Sequence, residues 1–220
     1  MSYAVLGALF SFAFVASVTP GPNNLMVMAS GTNFGFRRTL PHMLGIVGGV
    51  GIMAFLVGAG LMALLDRVPA LYSVLKLAAI AYLLWLAFKI ATAAPSQGSA
   101  TPSHPLTALQ AAAFQWVNPK TWTMCLSAIT LYAPDRSFLS VAIVALAFTL
   151  VSFPAISAWA WLGAAIRRWL SSGRRLRVFN LAMALLLIAS LYPILATASP
   201  PAANPAELPP TDATFTLSSS

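Results

Sequence analysis

Six long stretches of this chain are almost free of charged side chains, and they limit its possible folds more than any other feature. A helix needs about 20 apolar residues to cross the hydrocarbon core of a bilayer. Only 7% of the 220 residues are charged, whereas a water-soluble domain carries about 25%. We therefore predict an all-α membrane protein whose outer surface contacts the lipid bilayer. The predicted spans, about six in number, cover about residues 4–30, 42–65, 69–93, 106–132, 137–164 and 177–197.

The C-terminal segment differs in composition from the rest of the chain. It is rich in proline, alanine and serine and contains two acidic residues, Glu207 and Asp212. Such a segment cannot bury enough apolar surface to offset the entropy lost on ordering. The sequence thus predicts one transmembrane domain over residues 1–198 and a disordered tail over residues 199–220.

The basic residues are concentrated in alternate predicted loops. The second and fourth loops hold only Arg67 and Arg136, each beside an aspartate. Lysine and arginine are enriched in cytoplasmic loops of membrane proteins, so the odd-numbered loops are expected to be cytoplasmic and both termini outside. Clusters at loop ends do not form the continuous basic stripe of a nucleic-acid binder, and no nucleic-acid partner is expected. The basic residues of the first, third and fifth loops are Arg37, Arg38, Lys89, Arg167, Arg168, Arg174, Arg175 and Arg177.

Two of the predicted spans are interrupted near their centres by proline and polar residues. In the first, the run Thr19-Pro20-Gly21-Pro22-Asn23-Asn24 cannot continue a regular helix, because its prolines lack backbone donors and clash with the preceding turn. In the fourth, Asn118-Pro119-Lys120 lies at the midpoint, just after Gln115 and Trp116. Lipid offers no hydrogen bonds at this depth, so both breaks are expected to line a cavity or to be buried in protein.

The two breaks occupy matching positions if the chain consists of two halves of three helices each. An odd number of helices in each half inverts the second half relative to the first. Interrupted helices at matching positions of inverted halves are typical of a transporter binding site at mid-membrane. We therefore predict two inverted three-helix repeats with broken helices 1 and 4; two ordinary proline kinks are the alternative. The residues predicted to bind substrate are Pro20, Gly21, Pro22, Asn23, Asn24, Gln115, Asn118, Pro119 and Lys120.

Three of these side chains have more than one predicted role. A lysine at the centre of a span costs about 3 kcal/mol on insertion scales, so Lys120 is expected to face a polar interior. There it can hold a substrate carboxylate, or it can snorkel or bind a freed carbonyl across the bundle. Asn23 and Asn24 can pair with a substrate's amino and carboxyl groups, or they can cap the half-helix that follows Pro22.

The sequence carries few signs of other chemistry. Cys125 is the single cysteine, which excludes an intramolecular disulfide, and His42 and His104 lack the neighbours of a metal site. We predict no metal, no cofactor and no catalytic residues. An intramembrane enzyme would need a nucleophile with a base or a cluster of metal ligands. A transporter of another small solute or of a cation is a nearer alternative, although a cation would favour buried carboxylates and no span contains one.

The chain resembles the LysE/RhtB family of bacterial amino-acid exporters over about residues 4–197. Each motif is short, but their combination is fairly specific. Ala79 and Ala87 depart from the family pattern, which often has glycine there. The matching residues are Thr19-Pro20-Gly21-Pro22-Asn23-Asn24, Gly35-Phe36-Arg37, Gly45, Leu75-Lys76, Ala81-Tyr82-Leu83, Trp85-Leu86, Lys89 and Phe114-Gln115-Trp116-Val117-Asn118-Pro119-Lys120.

The resemblance implies a multi-pass exporter of the bacterial inner (cytoplasmic) membrane that moves amino acids or close derivatives out of the cell. Asn23 and the stretch from Phe114 to Lys120 are most similar to members that export cysteine and O-acetylserine, or homoserine and threonine. From the residues and the resemblance together we predict export by alternating access at the paired breaks. A homo-oligomer is compatible with these predictions, and the sequence does not determine the oligomeric state.

Overall fold

The computed structural model describes residues 1–61, 63, 67–68, 70–93, 104–170 and 172–192. Within these ranges all regular structure is helical and no strand occurs, which confirms the predicted all-α class. The predicted tail, residues 199–220, lies outside the described residues. The helices are α1 (Tyr3–Val18), α2 (Pro22–Phe34), α3 (Phe36–Gly58), α4 (Ala70–Ala91), α5 (Ala108–Phe114), α6 (Pro119–Tyr132), α7 (Phe138–Ile166) and α8 (Gly173–Ala189), with a 3-10 turn over Gln115–Val117.

Three of the described helices are long and apolar enough to cross a membrane: α3, the Ser73–Ala91 part of α4, and α7. Helices α1 and α2 pass the same test as a pair bent by 56°, which brings the number to four if the pair is one span. The predicted fourth span is divided among α5, the 3-10 turn and α6. Six spans and an inverted repeat therefore remain predictions.

Four helices begin where a hydroxyl side chain can bind a free backbone N–H. The hydroxyls of Ser2, Thr107, Ser137 and Ser172 accept hydrogen bonds from the backbone N–H three residues further on. A cap of this kind stabilises a helix by about 1 kcal/mol. The helix starts are thus set by short local signals.

Helix α2 lies between two apolar clusters of the fold. Val27 belongs to a cluster formed mainly by α1, α3, α6 and α7, whereas Leu25 and Met26 pack in a second cluster with α4, α5 and α8. Close packing against α7 depends on two glycines: a Cβ on Gly31 would lie 2.2 Å from the Ala160 carbonyl oxygen, and one on Gly163 would lie 2.1 Å from that of Met28. Helix α2 is therefore packed closely into the bundle.

The small-residue face of α3 packs within the chain. A Cβ on Gly45 would lie 2.1 Å from the Ala108 carbonyl oxygen, and one on Gly49 would lie 2.9 Å from Ala112 Cα. Both contacts are with α5, so these glycines let the two backbones approach. Gly48 has nothing within 4 Å of its Cβ position and makes no such contact.

Large apolar side chains cover much of the outer surface of the described helices. This surface would be costly in water but matches lipid tails. It agrees with the prediction that the outside contacts the bilayer. Examples that are more than half exposed are Phe14, Val74, Leu77, Phe88, Leu150 and Trp161.

Candidate functional site

The first break leaves the last carbonyls of α1 without helical partners, and a side chain of α2 binds two of them. The Nδ2 group of Asn24 donates to the carbonyl oxygen of Ser17 at 2.9 Å and to that of Thr19 at 2.8 Å. Asn24 is buried, so these bonds replace those that water would otherwise make. This asparagine therefore joins the two sides of the break.

Side chains from two further helices bind the same end of α1. Lys120 of α6 donates from Nζ to the Thr19 carbonyl oxygen. Trp159 of α7 donates from Nε1 to the Val18 carbonyl oxygen at 3.1 Å. The structural alternative for Lys120, a bond to a freed carbonyl across the bundle, is thus present.

The start of α2 has no side-chain cap. Its N-cap residue is Gly21, in an extended conformation, and Pro22 occupies the first helical position. The first helical bond is donated by the Leu25 N–H to the Gly21 carbonyl oxygen at 3.0 Å, so the N–H groups of Asn23 and Asn24 precede the helical pattern. The alternative in which Asn23 or Asn24 caps α2 is not what the structure contains.

At the second break, backbone N–H groups find hydrogen-bond partners within the break itself. Helix α5 passes into the 3-10 turn, and the chain then extends at Asn118 before α6 begins with Pro119. The Asn118 side chain accepts a hydrogen bond from the Lys120 N–H at 3.2 Å. Asn118 is therefore an N-cap, and Pro119 fits the first helical position, where no N–H is needed.

An amide pair connects the two breaks. Asn23 Nδ2 donates to Gln115 Oε1 at 2.9 Å, and Gln115 Nε2 donates back to Asn23 Oδ1 at 3.1 Å. Gln115 is fully buried, donates also to the Ala111 carbonyl oxygen, and accepts from the Thr121 hydroxyl at 2.9 Å. Residues about ninety positions apart in sequence thus form one hydrogen-bonded group.

Gly21 lets the Lys120 side chain pass close to the first break. A Cβ at this position would lie 2.7 Å from Lys120 Cδ and 3.2 Å from its Nζ. The backbone angle of Gly21 is open to any residue, since its φ is −175°. The glycine is therefore needed for space beside the lysine and not for backbone freedom.

A small, partly open cavity of about 20 Å³ lies where the two breaks meet. Five of the lining residues belong to the two breaks and are called the break residues below: Gly21, Asn23, Asn24, Lys120 and Thr121. The other lining residues come from α1, α3, α6 and α7, and are Ala16, Ser17, Ile46, Val50, Met124, Ser152 and Ile156.

The structure brings the predicted site residues together in two groups. Four of them line the cavity directly, and they are Gly21, Asn23, Asn24 and Lys120. Gln115 and Asn118 bind residues of that group, and the three prolines, Pro20, Pro22 and Pro119, shape the breaks.

Sequence reasoning missed the lining residues on α3 and α7. Ile46 and Val50 lie four positions apart on α3, which is one helical turn, but an apolar pair at this spacing is common in any packed helix. Ser152 lies two residues before Pro154 within α7, and that proline is the only local signal that could have drawn attention to it.

His42 is a buried polar side chain on α3 without a hydrogen-bond partner in the described part of the chain. Both ring nitrogens lack a hydrogen bond among the described residues, and the side chain is 1% exposed. It lies one helical turn before Ile46 on α3. No group of His, Cys, Asp or Glu residues suited to a metal ion occurs in the described part of the chain.

Asp135 lies in the loop between α6 and α7, outside the spans. Its carboxylate accepts a hydrogen bond from the Ser140 hydroxyl at 2.6 Å. Bonds from Ser140 and Ser137 stabilise the charged form and lower the pKa of this carboxyl below its ordinary value.

Together, the apolar helices and a cavity between two broken helices, lined in part by their polar side chains, define a membrane protein of the transporter class. Residues 14–190 match the family described as LysE type translocator. The chain belongs to the LysE type translocator family. Translocators move solutes, which agrees with the prediction that the chain is not an enzyme.

Relatives with assigned functions match almost the full chain. The cysteine/O-acetylserine efflux protein of Escherichia coli (strain K12) is 30% identical over 194 residues, covering 86% of this chain and 96% of the relative. The protein of the same name from Shigella sonnei (strain Ss046) matches to the same extent. No solved structure matches the chain.

Proposed function

We propose that this protein exports amino acids or close derivatives across the cytoplasmic membrane. The family and the relatives named as cysteine/O-acetylserine efflux proteins support this function. The observation that carries the proposal is that both broken helices contribute to one cavity. Amino and carboxylate groups need several hydrogen bonds at mid-membrane, and broken helices supply them without exposing backbone to lipid.

Lys120 binds the substrate carboxylate in this proposal. An ammonium group has three donors, and among the described residues the Nζ of Lys120 donates to the Thr19 carbonyl alone. The N–H groups at the start of α2 and the positive end of its dipole favour the same negative group. One lysine can thus donate hydrogen bonds to the first break and to the ligand at the same time.

The amide pair between Asn23 and Gln115 supplies the remaining polar contacts. Amides both donate and accept, so Asn23 can exchange its bond with Gln115 for bonds to the amino and carboxylate groups. Gln115 keeps its bonds to Ala111 and Thr121 after such an exchange. The substrate then replaces the two hydrogen bonds of the amide pair without leaving the buried Gln115 amide unpaired.

Transport by alternating access follows from a site placed between two halves of the bundle. The proposed architecture has six spans in two inverted three-helix repeats, with odd-numbered loops in the cytoplasm. Movement of one repeat against the other would open the cavity to each side in turn. Assembly with further copies of the chain is compatible with this cycle but is not needed for it.

A cation is less compatible with this cavity than an amino acid. None of the residues that line it is acidic, and Lys120 adds a positive charge. A small neutral solute other than an amino acid would leave that charge without a partner. A zwitterion with a carboxylate therefore fits the lining best.

The proposal is tested by efflux of labelled O-acetylserine and other amino acids from loaded vesicles. Lys120→Gln keeps a donor for the Thr19 carbonyl and removes the charge. Hydrogen bonds to charged groups contribute about 1.5–3 kcal/mol, so we expect efflux to fall about 10- to 100-fold. Lys76→Gln is the matched control, since it removes a lysine from α4 that does not line the cavity.

Each result has a distinct meaning. Efflux by wild type and Lys76→Gln, with loss in Lys120→Gln at equal membrane levels, supports both function and site. Equal efflux by all three proteins would retain the exporter and reject the site. Wild-type protein that is folded and moves no amino acid would reject the proposed function.

A further inference from the structure

The lining residues outside the breaks are apolar except for two serines. Ser17 of α1 and Ser152 of α7 are 8% and 3% exposed, and their hydroxyl oxygens lie 3.1 Å apart. They line the cavity together with Ala16, Ile46, Val50, Met124 and Ile156. The serine pair is thus a single polar spot in an apolar part of the wall.

The two serines differ from neighbouring hydroxyl residues of the same helices. Ser11 on α1 donates to the Gly7 carbonyl oxygen, and Thr149 on α7 donates to that of Ala145, each at 2.8 Å. Such a bond to the preceding turn is the usual partner of a hydroxyl inside an apolar helix. Among the described residues, Ser17 and Ser152 bind only each other through their side chains.

The pair retains unused hydrogen-bonding capacity. Each hydroxyl has one hydrogen and two lone pairs. One hydrogen is used in the bond between the two oxygens, which leaves the other hydrogen and several lone pairs available. A ligand atom at this spot can therefore both accept from the pair and donate to it.

We propose that the Ser17–Ser152 pair recognises the polar atom of a short, neutral substrate side chain. The inference rests on the proposed function, in which the break residues hold the amino and carboxylate groups. The side chain then lies along Ile46, Val50 and Met124 and ends at the pair. The substrates that fit are α-amino acids whose short, neutral side chain carries a hydrogen-bonding atom.

The same wall disfavours a cationic side chain. An ammonium or guanidinium group there would lose its water, and no lining residue carries a compensating negative charge. Lysine and arginine are thus expected to be poor substrates. A purely apolar side chain of equal size would fit the wall but leave the serine pair without a ligand bond.

The inference is tested by comparing serine or cysteine with 2-aminobutyrate, which has a methyl group in place of the hydroxyl or thiol. Ser17→Ala and Ser152→Ala each remove one hydroxyl of the pair. We expect the efflux of serine and cysteine relative to 2-aminobutyrate to fall about 3- to 10-fold, the effect of one neutral hydrogen bond. Ser157→Ala is the matched control on α7, since its buried hydroxyl has no partner in the described residues and does not line the cavity.

The outcomes separate this inference from the proposed function. A fall of the ratio in Ser17→Ala and Ser152→Ala, but not in Ser157→Ala, supports the subsite. If both variants export all three amino acids in wild-type proportions, the subsite is rejected and the exporter stands. If wild type exports none of them or prefers lysine, the substrate class is rejected. For each variant we measure the protein level in the membrane and the efflux of serine or cysteine relative to 2-aminobutyrate. If one serine variant fails to fold, the other serine variant still tests the inference.

Discussion

The two breaks look alike in sequence but differ in how their backbone groups are bound. At the first break, side chains from α2, α6 and α7 bind the carbonyls of α1, and the start of α2 has no side-chain cap. At the second, a 3-10 turn and the Asn118 cap satisfy the chain locally. The first break therefore depends on the rest of the bundle, whereas the second is nearly self-contained.

This difference gives the two breaks different parts in the site that we propose. In the proposed site, the first break would contribute the N–H groups at the uncapped start of α2 and the Asn23 side chain. The second break would contribute the side chains of Gln115, Lys120 and Thr121, which follow or precede the local cap at Asn118. A proline break in a span thus becomes a binding site only where a second element brings complementary groups to it.

The largest expected effect is on the packing that holds the second break. In Gly49→Ala the new Cβ would lie 2.9 Å from Ala112 Cα and 2.7 Å from Gln115 Cγ. Backbone cannot move away easily, so we expect a loss of about 3 kcal/mol in the free energy of unfolding. Thermal unfolding in detergent measures it, with Gly48→Ala as the control. Equal stability of the two variants would show that α3 and α5 do not pack this closely.

The second prediction compares the asparagines of the two breaks. Asn118→Ala removes a local cap and is expected to cost about 1 kcal/mol. Asn24→Ala removes a donor from the buried Ser17 carbonyl and from the Thr19 carbonyl, and is expected to cost about 2–3 kcal/mol. Chemical denaturation of both variants gives the ranking. A greater cost for Asn118→Ala would contradict the view that side-chain bonds to the α1 carbonyls hold the first break together.

The third prediction separates function from stability at the first break. Gly21→Ala fits the extended backbone and meets only the flexible Lys120 side chain, 2.7 Å from its Cδ. We expect stability within about 0.5 kcal/mol of wild type. Efflux should fall about tenfold, equivalent to about 1.4 kcal/mol, because the lysine is displaced. Gly7→Ala, which has open space at its Cβ, is the control. Unchanged efflux in Gly21→Ala would mean that the position of Lys120 is not critical.

The smallest effect is expected outside both breaks, at Asp135. Its folded pKa is lowered, so its contribution to stability is present above the unfolded pKa, about 3.9, and is lost as pH falls through the folded pKa. The carboxylate is fully exposed, so the contribution is small and screened by salt. The free energy of unfolding should be slightly lower for Asp135→Asn than for wild type at pH 7. The difference should be smaller at pH 3. A larger difference at the acidic pH would contradict the assigned bonds.

The sequence revealed the breaks because proline and glycine have local effects on a helix. Two prolines around Gly21, and the Asn118-Pro119 pair, interrupt a helix through the donors they remove and the preceding turn they clash with. The same local logic predicted a polar environment for Lys120. It did not decide between a ligand and a carbonyl as its partner, because that depends on the distance between helices.

The parts that sequence reasoning missed arise from tertiary packing. Ser17 and Ser152 are 135 positions apart, and each reads as an ordinary small residue in an apolar helix. Capping of α2 by Asn23 or Asn24 was a reasonable local alternative, but contacts with Gln115 and with the end of α1 compete successfully for those amides. Interactions between distant segments have no signature in a single sequence.

The most direct test of the central account is whether a substrate occupies the cavity between the breaks. Met124 lines the cavity without using a hydrogen bond, so Met124→Cys in a Cys125→Ala background provides a reactive probe there. We predict that O-acetylserine slows its labelling by a polar thiol reagent but does not slow labelling of His104→Cys, which is exposed near α5. Equal labelling of Met124→Cys with and without substrate, in protein that still exports it, would contradict a binding site formed by the two breaks.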